Sequence, residues 1–128
     1  MMQGMKTLTT APAVTVFGIP NCDTVKKARS WLTDQGVDFE FHDFKKLGVT
    51  AELLPGWIAA MGWEKLVNRK GTTWRQLDDA TRAVVVDAAS ASALMLAHPS
   101  VIKRPVVVWG DGHLTIGFDA TEWLGLIP

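Results

Sequence analysis

The sequence predicts a small α/β domain in which helices cover both faces of a mixed β-sheet. Two β-type segments near the start, Val14–Gly18 and Asp38–Phe44, are separated by a segment with helical periodicity. Asp111-Gly112 is typical of a tight turn, and we expect this turn to connect two further β-type segments near the end of the sequence. The length of 128 residues and the composition, 48% hydrophobic and 20% charged, are typical of one soluble domain, which we expect to span residues 14–128.

The first element is a strand that leads into a helix. Val14–Gly18 is rich in β-branched and aromatic residues and is followed by Pro20, which indicates a buried strand ending in a turn. Asn21 is the expected N-cap of a helix that extends to about Gln35. Apolar residues recur along one face of this helix: Val25, Ala28, Trp31 and Leu32. Because a strand, a helix and a strand follow one another within about thirty residues, we expect the two strands to be parallel.

The central segment is predicted to be helical and to contain a polar loop. The helix Thr50–Met61 is expected to hold Pro55 in its first turns, where proline is tolerated. Asn68–Thr73 (NRKGTT) is the predicted loop. A helical stretch from Asp78 to His98 follows, and we expect it to break near Ser90.

The last segment is predicted to form a hairpin and a closing helix. Pro105–Trp109 is the third expected strand, His113–Gly117 pairs back on it, and Asp119–Leu124 forms a short helix. The resulting order, β-α-β, then helices, then β-β-α, is the thioredoxin-like arrangement.

Charge and composition argue against several classes of partner. Thirteen basic and thirteen acidic residues give a net charge of zero. The chain therefore lacks the excess of positive charge that favours direct binding to nucleic acid or to an anionic membrane. No segment approaches the ~18 apolar residues of a membrane span. Residues Met1–Ala13 contain one lysine and no apolar run, so we expect a loose tail and no signal peptide. A single cysteine excludes an internal disulfide, and we expect a cytoplasmic monomer.

Cys22 is the main candidate for chemistry, because it lies where a strand turns into a helix. Free N–H groups and the helix dipole stabilise a thiolate there and lower the pKa of the thiol. Lys26, four residues on, is expected to add positive charge, whereas Asp23 opposes it. The alternative is a buried structural cysteine, which the turn position disfavours.

Two arginines are candidate anion contacts. Arg104 opens the third strand beside Pro105, and its planar donor fork suits an oxyanion or a carboxylate. Arg69 lies in the polar loop beside Lys70 and is either a second anion contact or a solvated charge. The three histidines are far apart in sequence and none is spaced with the cysteine like a zinc ligand, so we expect no metal site.

Three separated motifs resemble the arsenate reductase-related family. They are GIPNCDTVKKARSWL, NRKGTTWRQL and HPSVIKRPVVV, and the resemblance extends from Val14 onward and is strongest to the YffB-type branch. It implies a thioredoxin-like fold with an inserted helical segment, no bound cofactor, and glutathione as co-substrate, often with glutaredoxin. By the same resemblance Cys22 is the nucleophile, Arg69 and Arg104 bind anions, Pro105 is cis, and Lys26 stands where an active-site arginine is frequent.

Two departures from the family pattern shape the expected function. Arsenate reductases of the family carry a third arginine at a position that falls near Ile116 here, and Lys26 or Lys103 is the cation available to replace it. The CxxC switch of many Spx-type regulators is absent, since Asp23, Thr24 and Val25 follow the cysteine. We therefore expect a glutathione-dependent thiol reductase; an arsenate reductase and a Spx-like adaptor that binds a protein partner are the alternatives.

Overall fold

Four strands form one sheet in the computed structural model, which describes residues 14–49 and 51–128. The strands are β1 (Val14–Gly18), β2 (Phe39–Asp43), β3 (Val106–Val108) and β4 (Leu114–Ile116). Their spatial order is β2-β1-β3-β4. The β1–β2 pair is parallel and the β1–β3 and β3–β4 pairs are antiparallel, so the predicted mixed sheet is confirmed. The expected tail, Met1–Ala13, lies outside the described residues.

Helices connect the strands and flank the sheet. The first, α1 (Asp23–Asp34), is the crossover between the two parallel strands, a connection that such strands require. Five short helices and one longer helix separate β2 from β3: α2 (Phe44–Leu47), α3 (Leu54–Met61), α4 (Trp63–Leu66), α5 (Thr72–Gln76), α6 (Asp79–Ala83) and α7 (Ala88–Ala97). A 3-10 turn, Pro99–Val101, follows α7, and α8 (Ala120–Leu124) closes the chain after β4.

The central helices differ from the sequence prediction in their bounds. Pro55 does lie in the first turn of α3, but that helix begins at Leu54. The predicted polar loop is shortened because α5 begins within it, at Thr72. The predicted break near Ser90 occurs earlier, at residues 84–87, and Ser90 instead belongs to the capping box that starts α7. The Asp87 carboxylate accepts the Ser90 N–H at 2.9 Å, and the serine hydroxyl accepts the Asp87 N–H at 3.1 Å.

The sheet separates two hydrophobic clusters, because successive side chains of a strand point to opposite faces. On one face, Val16 and its partner Val107 pack with α1 and α8, whose Trp123 is fully buried. On the other face, Phe17 and its partner Val106 pack with the central helices. Among residues 14–49 and 51–128, no helix combines the length and apolarity needed to cross a bilayer.

Gly18, the last residue of β1, sets how closely α1 approaches the sheet. A Cβ atom at this position would lie 2.9 Å from one methyl group of Val25 and 3.3 Å from the other. Val25 is fully buried in the first turn of α1. The start of that helix is therefore positioned by a contact that only glycine permits.

We expect Gly18→Ala to destabilise the protein by about 1–3 kcal/mol, because the added methyl group overlaps the Val25 side chain. The measurement is the free energy of unfolding in urea. Gly56→Ala is the matched control: nothing lies within 4 Å of a Cβ atom there, and the substitution in α3 should stabilise by up to about 1 kcal/mol. Equal effects of the two substitutions on the free energy of unfolding would contradict the conclusion that Gly18 is required for the close contact with Val25.

Candidate active site

Cys22 is the N-cap of α1. Its backbone is extended (φ −140°, ψ 124°), and its carbonyl oxygen accepts the first helical hydrogen bond from the Lys26 N–H at 2.9 Å. The expectation that Asn21 caps this helix is therefore wrong. Asparagine is favoured at N-caps because its side-chain oxygen accepts a backbone N–H, but the chain here enters the helix one residue later.

Strand pairing brings the residues before β3 and after β4 close to this thiol. Phe17 of β1 lies opposite Val106 of β3, so the residues just before β3 lie beside those just after β1. Val106 also lies opposite Ile116 of β4, and the Gly117 N–H donates to the Pro105 carbonyl oxygen at 2.9 Å. The start of α1, the turn before β3 and the end of β4 consequently meet at one edge of the sheet.

Arg104 is the cation that acts on Cys22. Its peptide bond to Pro105 is cis, as the resemblance implies, and its Nη1 donates to the Ser100 carbonyl oxygen at 2.7 Å. Its Nε atom is buried and has no acceptor among the described residues. A buried donor left unpaired costs about 1–3 kcal/mol, and negative charge close to the guanidinium offsets part of that cost.

The surroundings of Cys22 favour the thiolate. Partial burial raises the pKa of the thiol, but the Val25 amide, the Arg104 guanidinium and the Thr24 amide lower it by more. The net pKa therefore lies below the usual value of a cysteine.

A pocket of about 450 Å³ opens beside Cys22. Two cations, Lys103 and Arg104, and two carboxylates, Asp119 and Glu122, lie in its walls. The volume falls within the range of about 300–1,000 Å³ that small-molecule sites occupy. The pocket therefore offers charges of both signs next to the sulfur.

The carboxylates and Asn68, which also lines this pocket, were not among the residues singled out from the sequence. Asp119 had a partial signal, since it precedes the closing helix and caps it by accepting the Glu122 N–H at 3.1 Å. No sequence spacing links that helix to Cys22. Strand pairing alone brings it there.

Arg69 lies outside the Cys22 pocket, in an adjoining depression of about 510 Å³ that also contains Lys65 and Lys70. Its guanidinium carbon is 5.2 Å from the centroid of the Trp63 ring, a cation–π distance. The two pockets share Lys103 in their common wall. Arg69 is thus a neighbour of the site, and its role as an anion contact stays a prediction.

Lys26 lies in a different depression, of about 500 Å³, together with Arg29 and Thr33 of α1. The four-residue spacing brings two side chains onto one face only when both residues have helical backbone. Cys22 is extended, so the spacing does not apply, and Lys26 is not among the groups that shift its pKa. The positive charge expected from Lys26 comes from Arg104 instead.

Residues 14–49 and 51–128 contain no group of three or more His, Cys, Asp or Glu side chains placed to hold a metal ion.

A thioredoxin-like α/β fold with a cysteine at the start of its first helix defines the class of this protein. Within that class, the sequence pattern of the ArsC family matches residues 17–126, and the chain belongs to this family. An uncharacterized protein of Haemophilus influenzae is 39% identical over 110 residues, which cover 86% of this chain and 95% of that protein.

Solved structures agree with this membership. A YffB protein is 42% identical with a TM-score of 0.83, and the match covers 90% of this chain and 99% of that one. An arsenate reductase-related protein of Brucella melitensis is 50% identical with a TM-score of 0.70, covering 91% and 94% of the two chains.

The sequence is also similar to that of a regulator. The global transcriptional regulator Spx of Streptococcus agalactiae is 28% identical over 120 residues, covering 90% of this chain and 83% of the regulator.

We expect the alkylation rate of Cys22 to have a midpoint below about pH 8.5, the value of a free cysteine. Because Arg104 favours the thiolate, Arg104→Gln should move this midpoint to higher pH. The rate is measured against pH with an excess of iodoacetamide, and the single cysteine makes the signal unambiguous.

Two controls separate this effect from a general loss of positive charge. Arg75→Gln removes an exposed arginine of α5, and Lys26→Gln removes the lysine that the sequence placed near the thiol. Both should leave the midpoint unchanged. A shift in Lys26→Gln as large as that in Arg104→Gln would refute the assignment of the charge to Arg104.

Proposed function

We propose that this protein is a glutathione-dependent thiol–disulfide oxidoreductase whose nucleophile is Cys22. The observation that carries the proposal is the position of the thiol, at the N-cap of α1 and beside Arg104 in a pocket of small-molecule size. These neighbours lower the pKa of the thiol and so raise the fraction of thiolate, which is the attacking form.

The reaction that fits one cysteine proceeds in two exchange steps. The Cys22 thiolate attacks the glutathione sulfur of a mixed disulfide, the old sulfur–sulfur bond breaks, and the substrate thiolate leaves with the electron pair and takes a proton from water. A second glutathione thiolate then attacks the glutathione sulfur now joined to Cys22. Oxidised glutathione departs and Cys22 returns as a thiolate, so one disulfide is broken and one is formed.

The second thiol has to come from another molecule, because the chain has a single cysteine. Glutathione suits this role since its carboxylates match the cationic side chains of Arg104 and Lys103, which both line the pocket. We propose glutaredoxin as a partner that accelerates release. No bound cofactor is needed, and the protein acts as a monomer in the cytoplasm, where thiols are kept reduced.

We expect oxidised glutathione to add one glutathionyl group to Cys22, seen by intact mass, and a free thiol to reverse the addition. Cys22→Ser should abolish both the adduct and any disulfide reductase activity. Arg104→Lys keeps the charge but loses the planar fork, and it should weaken glutathione binding in calorimetry. Wild-type protein that forms no adduct between pH 6 and 9 would exclude the glutathione-dependent mechanism.

Arsenate reduction is the second candidate, and the observation that favours it is the place of Lys103. The third arginine of the family's arsenate reductases corresponds to a position near Ile116 in this chain. Lys103 lines the same pocket as Ile116. Its Cε atom is 3.9 Å from the point where a Cβ atom added to Gly117 would lie. Against it, Asp119 and Glu122 line the same pocket and repel a dianion.

We therefore expect arsenate turnover to be weak in an assay coupled to glutathione and glutaredoxin. Repulsion by the carboxylates and the lack of a third arginine leave part of the dianion's charge unpaired in a partly desolvated pocket. Robust turnover that Lys103→Gln abolishes would make arsenate reduction the function.

A role as an adaptor is the remaining alternative, supported by similarity to Spx and by exposed apolar side chains. Val84 and Val86 are 63% and 68% exposed in the segment between α6 and α7. Capture of a defined protein partner that survives Cys22→Ala would favour this role over a catalytic one.

A further inference from the structure

A basic depression of about 510 Å³ adjoins the Cys22 pocket. The cationic side chains in its walls are those of Lys65, Arg69, Lys70 and Lys103. Glu64 is the only acidic residue among the described residues that line it. The basic depression therefore has an excess of positive charge at neutral pH, whereas the cations and carboxylates in the walls of the Cys22 pocket balance.

The protein itself does not neutralise these four cations. Within residues 14–49 and 51–128 none of them forms an ion pair with a carboxylate, not even with the nearby Glu64. Arg69 packs instead against the Trp63 ring, with its guanidinium carbon 5.2 Å from the ring centroid. Like charges gathered in one depression repel one another and create a positive potential, which a bound anionic group offsets.

Backbone hydrogen bonds join the two segments that carry the cations. Val67 and Ile102 form an antiparallel bridge, and beside it the Lys103 N–H donates to the Leu66 carbonyl oxygen at 2.8 Å. Leu66 and Ile102 are fully buried in the hydrophobic core. Lys65 and Lys103, which adjoin these buried residues in sequence, therefore extend from a backbone that the core holds in place.

The basic depression is continuous with the Cys22 pocket. Asn68, Lys103 and Ile116 line both. The carboxylates of the Cys22 pocket, Asp119 and Glu122, do not line the basic depression. A substrate that extends from the sulfur of Cys22 into the basic depression consequently enters a region of excess positive charge.

We propose that the disulfide attacked by Cys22 joins glutathione to a polypeptide, and that acidic residues next to the cysteine of this polypeptide bind in the basic depression. The inference rests on the proposed glutathione-dependent function and names the class of its substrate. The Cys22 thiolate bonds to the glutathione sulfur, the sulfur–sulfur bond of the substrate breaks, and the polypeptide leaves as a thiolate that takes a proton from water. The basic depression binds the part of the substrate that leaves.

An acidic polypeptide suits the basic depression better than a nucleic acid does. Met61 and Ile116 line it beside the cations, so it offers apolar surface as well as charge. A polypeptide presents apolar and acidic side chains together, whereas affinity for nucleic acid comes mainly from contacts with phosphates. The whole chain has a net charge of zero, which disfavours attraction of a polyanion over long distances.

The experiment compares two glutathionylated peptides that differ only in charge. Each contains a single cysteine, joined to glutathione by a disulfide. Glutamate residues flank this cysteine on both sides in one peptide, and glutamine residues replace them in the other. The measured quantity is the second-order rate at which Cys22 acquires the glutathionyl group, followed by intact mass. Oxidised glutathione is the reference disulfide, because it has no polypeptide flank.

The acidic peptide should react about five- to tenfold faster than the glutamine peptide at low ionic strength, the effect of two or three exposed ion pairs. High salt should reduce this advantage, because it screens exposed charges. Lys65→Gln and Lys70→Gln should each slow the acidic peptide about two- to threefold and leave the rate with oxidised glutathione unchanged. Lys27→Gln is the matched control: it removes an exposed lysine of α1 that lines neither pocket, and it should change no rate.

The contrary outcomes are distinguishable. Equal rates for the two peptides would refute the acidic substrate, while exchange with oxidised glutathione would still stand. If Lys65→Gln slows oxidised glutathione as much as the acidic peptide, the basic depression binds glutathione itself and the inference is wrong. Equal peptide rates together with binding of a single-stranded oligonucleotide that Lys65→Gln weakens would make nucleic acid the occupant. If neither peptide nor oxidised glutathione adds a glutathionyl group to Cys22, the proposed function is refuted, and this inference with it.

Discussion

The contact between Gly18 and Val25 is the constraint on which the site depends. It joins the end of β1 to the first turn of α1 at a distance that leaves no room for a side chain on the strand. Cys22 lies between these two residues, so its sulfur is held where the amides of that first turn act on it. The electrostatic properties of the thiol thus follow from a packing contact of the hydrophobic core.

The second requirement is the antiparallel pairing of β3 with β1. Because Phe17 lies opposite Val106, the residues that precede β3 run back toward the start of α1 and bring Arg104 to the thiol. The hydrogen bond from the Gly117 N–H to the Pro105 carbonyl oxygen connects this turn to the end of β4. The ends of three strands therefore meet beside one pocket, although among the residues that line it only Ile116 belongs to a strand.

The pocket differs from a simple anion site in its balance of charge. Lys103 and Arg104 are met by Asp119 and Glu122, and the sulfur becomes a further negative group when it ionises. The same balance separates the thiol chemistry proposed here from reduction of an inorganic dianion, even though both belong to proteins with this fold.

Short-range patterns along the chain were enough to predict the local features. The β-α-β unit at the start, the hairpin around Asp111-Gly112, and the place of Cys22 at the beginning of a helix all follow from short-range periodicity and turn chemistry. Short-range signals also failed in places: the helix after Asp78 divides earlier than expected, because the Asp87–Ser90 capping box starts a new helix. The position of the cap at Cys22, one residue after Asn21, depends on how β1 and α1 pack.

The set of charges that surrounds the thiol depends on how distant parts of the chain pack together. Lys26 is near Cys22 in sequence yet faces another depression, whereas Arg104, Asp119 and Glu122 are far away in sequence and line its pocket. The physical reason is that helical spacing predicts neighbours only along one element. The neighbours that matter here come from strand register, which is fixed by the hydrophobic pairing of Phe17, Val106 and Ile116 across the sheet.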